Sequence, residues 1–374
     1  NGECDPNEWR ERSGMSASVR PSLGDAMQQV EAMERIEKNQ INLYAHQPGL
    51  PVLAKKERNK VLKIKLDVMD STVVQNVTSF NFSLDGSSDI KDIEKASLLY
   101  SKTGKFEEAE VLGSQKDIKM NLKIDGHKLL SYGENHFWLS ITLNGTPNLS
   151  HKIGAQLVSV ELEERNVVTS IVEQSGRPQR IGIALRKHDD DGVDTFRIPG
   201  LATTNKGTLI GVYDVRWDDP VDLQENIDVG LSRSTDGGQT WEPMKIIMDM
   251  GDFGGFPEDQ NGIGDPAVLV DRNTNTIWVA ALWLHGYPGE RAWNASEPGL
   301  SPEKTGQFVL VKSEDDGVTW SDPINITKQI KKSEWQLFFN GPGMGITMKD
   351  GTLVFAAQFK DKKRIPHSTI IYSK

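Results

Sequence analysis

Ser234-Thr235-Asp236-Gly237-Gly238-Gln239-Thr240-Trp241 and Ser313-Glu314-Asp315-Asp316-Gly317-Val318-Thr319-Trp320 share the pattern Ser-x-Asp-x-Gly-x-x-Trp. Each follows an apolar run, at 227–231 and 308–311, as a turn follows a strand. The chemistry suits a β-turn. The Asp side chain can accept hydrogen bonds from backbone N–H groups of its own turn, the Gly can take a positive φ, and the Trp can fold its ring beneath the turn. The units lie 313 − 234 = 79 residues apart, which accommodates one four-stranded blade plus insertions. Ser368-Thr369-Ile370-Ile371-Tyr372-Ser373-Lys374 reads as the same strand and the first letters of a third unit. An Asp is expected next, so this reading predicts a natural chain that continues past Lys374.

Upstream the texture differs. From 59 to 164 short runs alternate apolar and polar residues, as in Leu62-Lys63-Ile64-Lys65-Leu66-Asp67-Val68. Turn formers separate the runs: Asp85-Gly86, Asp125-Gly126 and Asn144-Gly145. That spacing predicts a β-sandwich or jelly roll. Met27, Val30, Met33 and Ile36 fall at helical spacing, which predicts a short helix over 25–37. The polar stretch 165–178, ending Ser175-Gly176-Arg177-Pro178, reads as a linker. The domains expected are 1–164, a β-sandwich and candidate carbohydrate-binding domain, and 179–374, built from the recurring strand–turn unit.

Composition bounds the function. With 34 Gly and 17 Pro in 374 residues the chain is rich in turns, which argues for an all-β fold. The net charge is 43 − 53 = −10, so no global field draws nucleic acid, and an anionic ligand needs a local Arg cluster. Cys4 stands alone, which excludes an intrachain disulfide and a Cys-based zinc site. The seven His show no metal-ligand spacing and no phosphate-cradling Gly-rich loop occurs, so neither metal nor cofactor is expected. No apolar run is long enough to span a membrane as a helix.

The two eight-residue units resemble the Asp boxes of sialidases and related β-propellers. Phe196-Arg197-Ile198-Pro199-Gly200, 234 − 197 = 37 residues before the first box, resembles the Arg-Ile-Pro motif of bacterial exo-α-sialidases. The resemblance covers 179–374 and implies a six-bladed propeller, incomplete in this chain, preceded by the β-sandwich. It implies that the boxes are structural and lie far from the active site. Arg197 would be the first of three arginines gripping the substrate carboxylate, a task for a planar fork that stays charged. Arg216 would be a second substrate-facing arginine. Asp222, 222 − 197 = 25 residues past Arg197, would be the general acid/base in the loop 217–226. Asp218 and Asp219 share that loop and remain alternatives. Asp265, in Gly264-Asp265-Pro266, matches an Asp that binds sugar hydroxyl or amide groups; an ordinary Asp-Pro turn describes it equally well. Trp278, Trp283 and Tyr287 are candidates for an apolar N-acetyl subsite, against a plain role in the core. Phe339-Asn340-Gly341-Pro342-Gly343-Met344-Gly345-Ile346 resembles a Gly-rich stretch before a strand of the family.

The resemblance further implies a retaining mechanism in which a Tyr, assisted by a Glu, attacks the anomeric carbon, the exception to the two-carboxylate plan of glycosidases. That Tyr, its Glu and two more clamp arginines are expected after residue 374. Tyr372, beside the third box, belongs to a structural strand. The function implied is an exported exo-α-sialidase, secreted, periplasmic or on the cell surface, acting on sialylated glycans. The rivals are a non-catalytic Asp-box propeller that binds glycan or protein, an Asp-box glycosidase of neutral polysaccharide, and a trans-sialidase.

Overall fold

The structure, a computed structural model, describes residues 41–72, 75–163, 167–169, 171–223, 225–287 and 291–374. The helix expected over 25–37 and Cys4 lie outside the described residues. The chain divides into two compact units, 1–182 and 183–374. Both are built almost wholly of strands. No helix among the described residues is long and apolar enough to cross a membrane.

In the first unit a six-stranded sheet runs in the order Ile171–Gly176, Ile41–Gln47, Asn59–Val68, Gly133–Leu143, Ile93–Ser101, Glu110–Gln115. A four-stranded sheet runs Val167–Val168, Gln156–Leu162, Asn76–Ser83, Asn121–Leu129. The period-2 pattern explains the shared core. Along Asn59–Val68, Leu62, Ile64, Leu66 and Val68 are buried while Lys63, Lys65 and Asp67 stay half-exposed. They pack with Phe80 and Phe82 of the other sheet and with Phe137, whose ring lies 4.9 Å from that of Phe80. This is the β-sandwich that the alternation predicted.

The stretch 165–178 is not the linker expected. Its strand Ile171–Gly176 pairs in parallel with Ile41–Gln47 at the edge of the six-stranded sheet. Gln179–Gly182 then pairs with Val52–Leu53 and Lys152–Ile153. Polar composition misled because an edge strand has solvent on one flank, and its ladder bonds are backbone bonds that any side chain permits.

The second unit is a series of antiparallel meanders. The first comprises Thr195–Thr203, Leu209–Arg216, Ile227–Ser234 and Lys245–Met248. The second comprises Asn261–Val270, Ile277–His285, Gln307–Ser313 and Ile324–Asn325. In the third, Leu353–Lys360 pairs with Leu337–Asn340, Ile346–Thr347 and Pro366–Ser373. These are propeller blades, and the described residues do not close a ring. Ile210, Val212, Val229 and Leu231 of the first blade share a core with Val268, Val279 and Val309 of the second. Leu269 and Phe308 share another with Phe338 and Phe355 of the third.

The two Asp boxes are the same hydrogen-bonded object. Ser234 Oγ donates to Asp236 Oδ1 (2.8 Å) and accepts from Gly238 N, while Thr240 donates its N–H and hydroxyl to Asp236. Ser313, Asp315, Gly317 and Thr319 repeat every bond. The Trp indole of each box donates to the carbonyl of its Gly, 3.1 Å in one and 3.2 Å in the other. The Thr hydroxyls, the largest influence, hold the carboxyls of Asp236 and Asp315 down at about 2. The second box also bridges blades: Asp316 Oδ2 accepts from Thr208 Oγ1 (2.6 Å) and Arg233 Nη2 (3.1 Å) of the first blade.

Candidate active site

The strand Leu209–Arg216 is buried on both faces. Ile210 and Val212 point into the core between the first two blades, and by alternation Asp214 and Arg216 continue that face towards the strand's end. There the apolar row gives way to a charged pair with relative exposures of 0% for Asp214 and 1% for Arg216. Arg216 donates five hydrogen bonds. Nε and Nη2 go to Asp214 Oδ2 (3.2 and 2.8 Å), Nη1 to the carbonyls of Pro220 and Val221 (2.9 and 3.1 Å), and Nη2 to Asp222 Oδ1 (2.6 Å). A guanidinium has five N–H groups, so the fork is fully used.

In the structure Arg216 holds the loop that carries Asp222. The sequence showed an Arg at the end of a strand. Only the return of the loop 217–226 over that end shows where its donors go.

Asp222 itself is well exposed, and its neighbour Leu223 is buried with a φ of 46°. Leu223 packs with Leu282, Leu284, Ala292, Leu337 and Phe339. The loop is thus gripped by Arg216 at its carbonyls and anchored by one apolar side chain. Asp219 accepts from Val221 N and so builds the local turn. Asp222 alone of Asp218, Asp219 and Asp222 bonds to Arg216 and borders the cavity described next.

Asp265 has a φ of 55°, left-handed for a residue with a side chain, at a break in the ladder between Gly264 and Ala267. Its N–H donates to Asp214 Oδ1 (2.8 Å) and its carbonyl accepts from Asn340 Nδ2 (2.6 Å). Burial, then the charge of Asp222, push its carboxyl up to about 6 against the pull of Arg216 and Arg197. Asp214, buried more deeply, is pushed up to about 7 by desolvation, against its bonds to Arg216. One oxygen each of Asp214, Asp222 and Asp265 lie within 4.8 Å of one another, a spacing that suits a cation; the charge facing them is that of Arg216.

Arg197 sits across the ladder from Asp214. The register shifts at Ile198-Pro199, where Ile198 has a φ of 52°, just as it shifts at Asp265-Pro266 in the second blade. The Arg197 side chain is exposed and makes no hydrogen bond or ion pair among the described residues. It is the available fork that Arg216 is not.

A cavity of about 240 Å³ opens beside Asp222 and Asp265, lined by Leu282, Leu284, Trp293 and Phe339, with Arg291 also on its wall. Trp278, Trp283 and Tyr287, the aromatic candidates, are not among its lining residues. Trp283 is fully buried and donates to Asn261 Oδ1, and Trp278 packs in the core between the second and third blades. Tyr287 donates to the Lys304 carbonyl. Sequence reading missed Asp214, Asn340 and Trp293. Asn340 lies in the quoted stretch 339–346, but nothing in the motif tells a buried amide that supports Asp265 from a turn residue.

Comparison with characterised families agrees on both units. The N-terminal domain of BNR-repeat neuraminidase matches residues 40–166, and the BNR repeat-like domain matches 198–374. A sialidase of Bacteroides fragilis is 40% identical over 359 residues, covering 89% of this chain and 65% of its own length. A sialidase of Clostridium perfringens is 30% identical over 187 residues, covering 48% of this chain and 46% of its own. The solved structure of Hadza microbial sialidase Hz136 superposes with a TM-score of 0.80 at 39% identity, covering 88% of this chain and 68% of that one. The chain spans about half to two thirds of the length of the curated relatives it matches. With an Asp-box propeller, an N-terminal β-sandwich and an Arg-Ile-Pro motif near the start of the strand Thr195–Thr203, the chain belongs to the BNR-repeat neuraminidases, the sialidase family.

Proposed function

We propose that the protein is an exo-α-sialidase that releases terminal sialic acid from glycoconjugates. The observation that carries this reading is Arg197: an exposed guanidinium with no hydrogen bond or ion pair among the described residues, across the ladder from Asp214. An unpaired Arg fork is complementary to a carboxylate, the group that sets sialic acid apart from neutral sugars.

The chemistry follows from the geometry. Arg197 binds the substrate carboxylate and so orients the anomeric carbon. Asp222 donates its proton to the glycosidic oxygen as the bond from that oxygen to the anomeric carbon breaks. It then takes a proton from water as water adds at that carbon and frees the sugar. Asp265 hydrogen-bonds the sugar's polar substituents, and the cavity of Leu282, Leu284, Trp293 and Phe339 takes the methyl of an N-acyl group. The nucleophilic Tyr of the family mechanism, with its Glu, would supply the covalent step in the whole protein.

The substrates imply an exported enzyme, since sialylated glycans face the outside of cells. The N-terminal sandwich would serve as a glycan-binding unit. Its cavity of about 460 Å³ is bordered by Asp85, Gln156, Gln174 and Arg177, the polar mixture that recognises hydroxyl groups. The test is release of sugar from an alkyl α-sialoside by the full-length protein, compared with Asp222→Ala and with an alkyl β-galactoside. Release from the sialoside alone, with kcat cut about 100-fold or more by Asp222→Ala, is the expected result. Sialoside turnover undiminished by Asp222→Ala sinks the assignment.

A further inference from the structure

Asp214 is a carboxylate in a row that otherwise holds Ile210 and Val212, with no exposed surface at all. Burying such a group costs several kcal/mol unless donors surround it. Here they do, and they come from two directions. Oδ2 accepts both Nε and Nη2 of Arg216, and Oδ1 accepts the backbone N–H of Asp265. The fit against the second blade is close: a Cβ on Gly264 would stand 2.8 Å from Asp214 Oδ1 and 3.1 Å from its Cγ, so the chain there has no side chain.

Stability does not explain this arrangement. A buried ion pair is at best near break-even against apolar residues of the same volume. What the pair provides is direction. Arg216, held flat by Asp214, keeps two donors for the carbonyls of Pro220 and Val221 and one for Asp222. The Asp265 backbone, held at a φ of 55° by Asp214 on one side and Asn340 on the other, aims the second carboxylate at the same cavity.

We infer that Asp214 is a positioning residue that sets both acidic groups of the site, Asp222 through Arg216 and Asp265 through its backbone N–H. The inference rests on the reading of Asp222 as the acid/base. Asp214 touches no substrate. Its loss frees one donor pair of Arg216, which then closes further onto Asp222 and draws it from the glycosidic oxygen, while the Asp265 turn relaxes.

Proton donation matters most when the leaving group is poor, so the readout is a comparison of leaving groups. In the full-length protein, Asp214→Asn keeps the volume but sets an amide against the Arg216 donors. For an alkyl α-sialoside it is expected to lower kcat about 30- to 100-fold with KM within about 3-fold, and for an aryl α-sialoside with an acidic phenol to lower kcat less than about 5-fold. In an Asp222→Ala background the same change is expected to cost less than about 2-fold, because residues acting as one unit are not additive. Arg216→Lys keeps a cation beside Asp222 but cannot make five bonds, and it should show the same leaving-group signature; if Asp214→Asn does not fold, this variant decides. An equal proportional loss on both substrates, repeated in the Asp222→Ala background, overturns the inference and leaves the sialidase reading standing. A wild-type protein inactive on both sialosides overturns the two together.

Discussion

Arg216 Nη2 lies 2.6 Å from Asp222 Oδ1 while the rest of its guanidinium is spent on Asp214 and on two carbonyls of the same loop. Arg216 is the peg on which the loop carrying Asp222 hangs. Arg197, at the start of the neighbouring strand, is the proposed carboxylate clamp, and the two arginines are predicted to behave differently when altered.

Arg197→Ala should lower kcat/KM for sialosides about 100-fold or more, since a bidentate charged contact is lost. Its unfolding midpoint should move little, because the side chain is exposed and makes no hydrogen bond or ion pair among the described residues. Arg197→Lys should recover only part of the loss, because an ammonium cannot form two parallel bonds. Steady-state kinetics with parallel thermal melts check this; near-full activity in Arg197→Ala removes the clamp from that residue.

Trp293 lies edge-on to Phe339, ring centres 5.4 Å apart, on the wall of the cavity beside Asp222. Trp293→Ala is expected to raise KM about 10-fold for an N-acetylated sialoside and to change kcat less than about 3-fold, since an apolar contact to a non-reacting group is uniform binding. A sialoside lacking the N-acyl group should be indifferent to the change. If the variant discriminates against both substrates alike, the cavity is not the acyl subsite.

Asp228 is almost fully buried, accepts from Trp217 Nε1 at 2.8 Å, and is pushed up to about 7 by desolvation. Its folded value stands above its unfolded one, so the folded state holds a proton that the unfolded state releases. The stability it contributes is full below about pH 4 and is lost as pH rises through about 7. Asp228→Asn keeps an acceptor for Trp217 and removes the charge. It is expected to stabilise the protein at pH 8 by on the order of 2 kcal/mol and to change little at pH 4. Denaturant melts at the two pH values decide it; an equal shift at both means the carboxyl does not titrate in that range.

Asp316 joins the second blade to the first through Thr208 and Arg233, and holds a φ of 67° that Asn also tolerates. Asp316→Asn should therefore cost about 1–3 kcal/mol through its lost charge on a half-buried guanidinium. Glu242, more exposed and 2.6 Å from the same Arg233, gives the contrast: Glu242→Gln should cost less than about 1 kcal/mol. Chemical denaturation of the two variants measures the difference, and an equal cost would show that Asp316 is no more than a turn residue.

Much of the fold was legible because its signals are local. An Asp box is closed by bonds within eight residues, so Ser234–Trp241 and Ser313–Trp320 announce it without knowledge of anything distant. The alternation in 62–68 is equally local, because a strand with one wet face must repeat every second residue. The motifs also brought out Arg197, Asp222 and Asp265, and the last two border one cavity.

The rest depends on contacts between residues far apart in the chain. Asp214 and Asp265 are 51 positions apart and meet because one blade packs on the next; Asn340, 75 positions beyond Asp265, arrives with the third. No local pattern distinguishes a guanidinium aimed at a ligand from one exhausted on its own loop, since the difference lies in where 217–226 returns. The edge strand Ile171–Gly176 escaped for the same reason: its partner lies some 130 residues away, and backbone pairing leaves no mark on side-chain composition. The sequence by itself determined that this is a β-sandwich followed in the chain by an Asp-box propeller, and which arginine and aspartates to examine. Tertiary packing decided which of them face the cavity and which hold the others in place, because burial and hydrogen-bond partners belong to the assembled blades and not to any one segment.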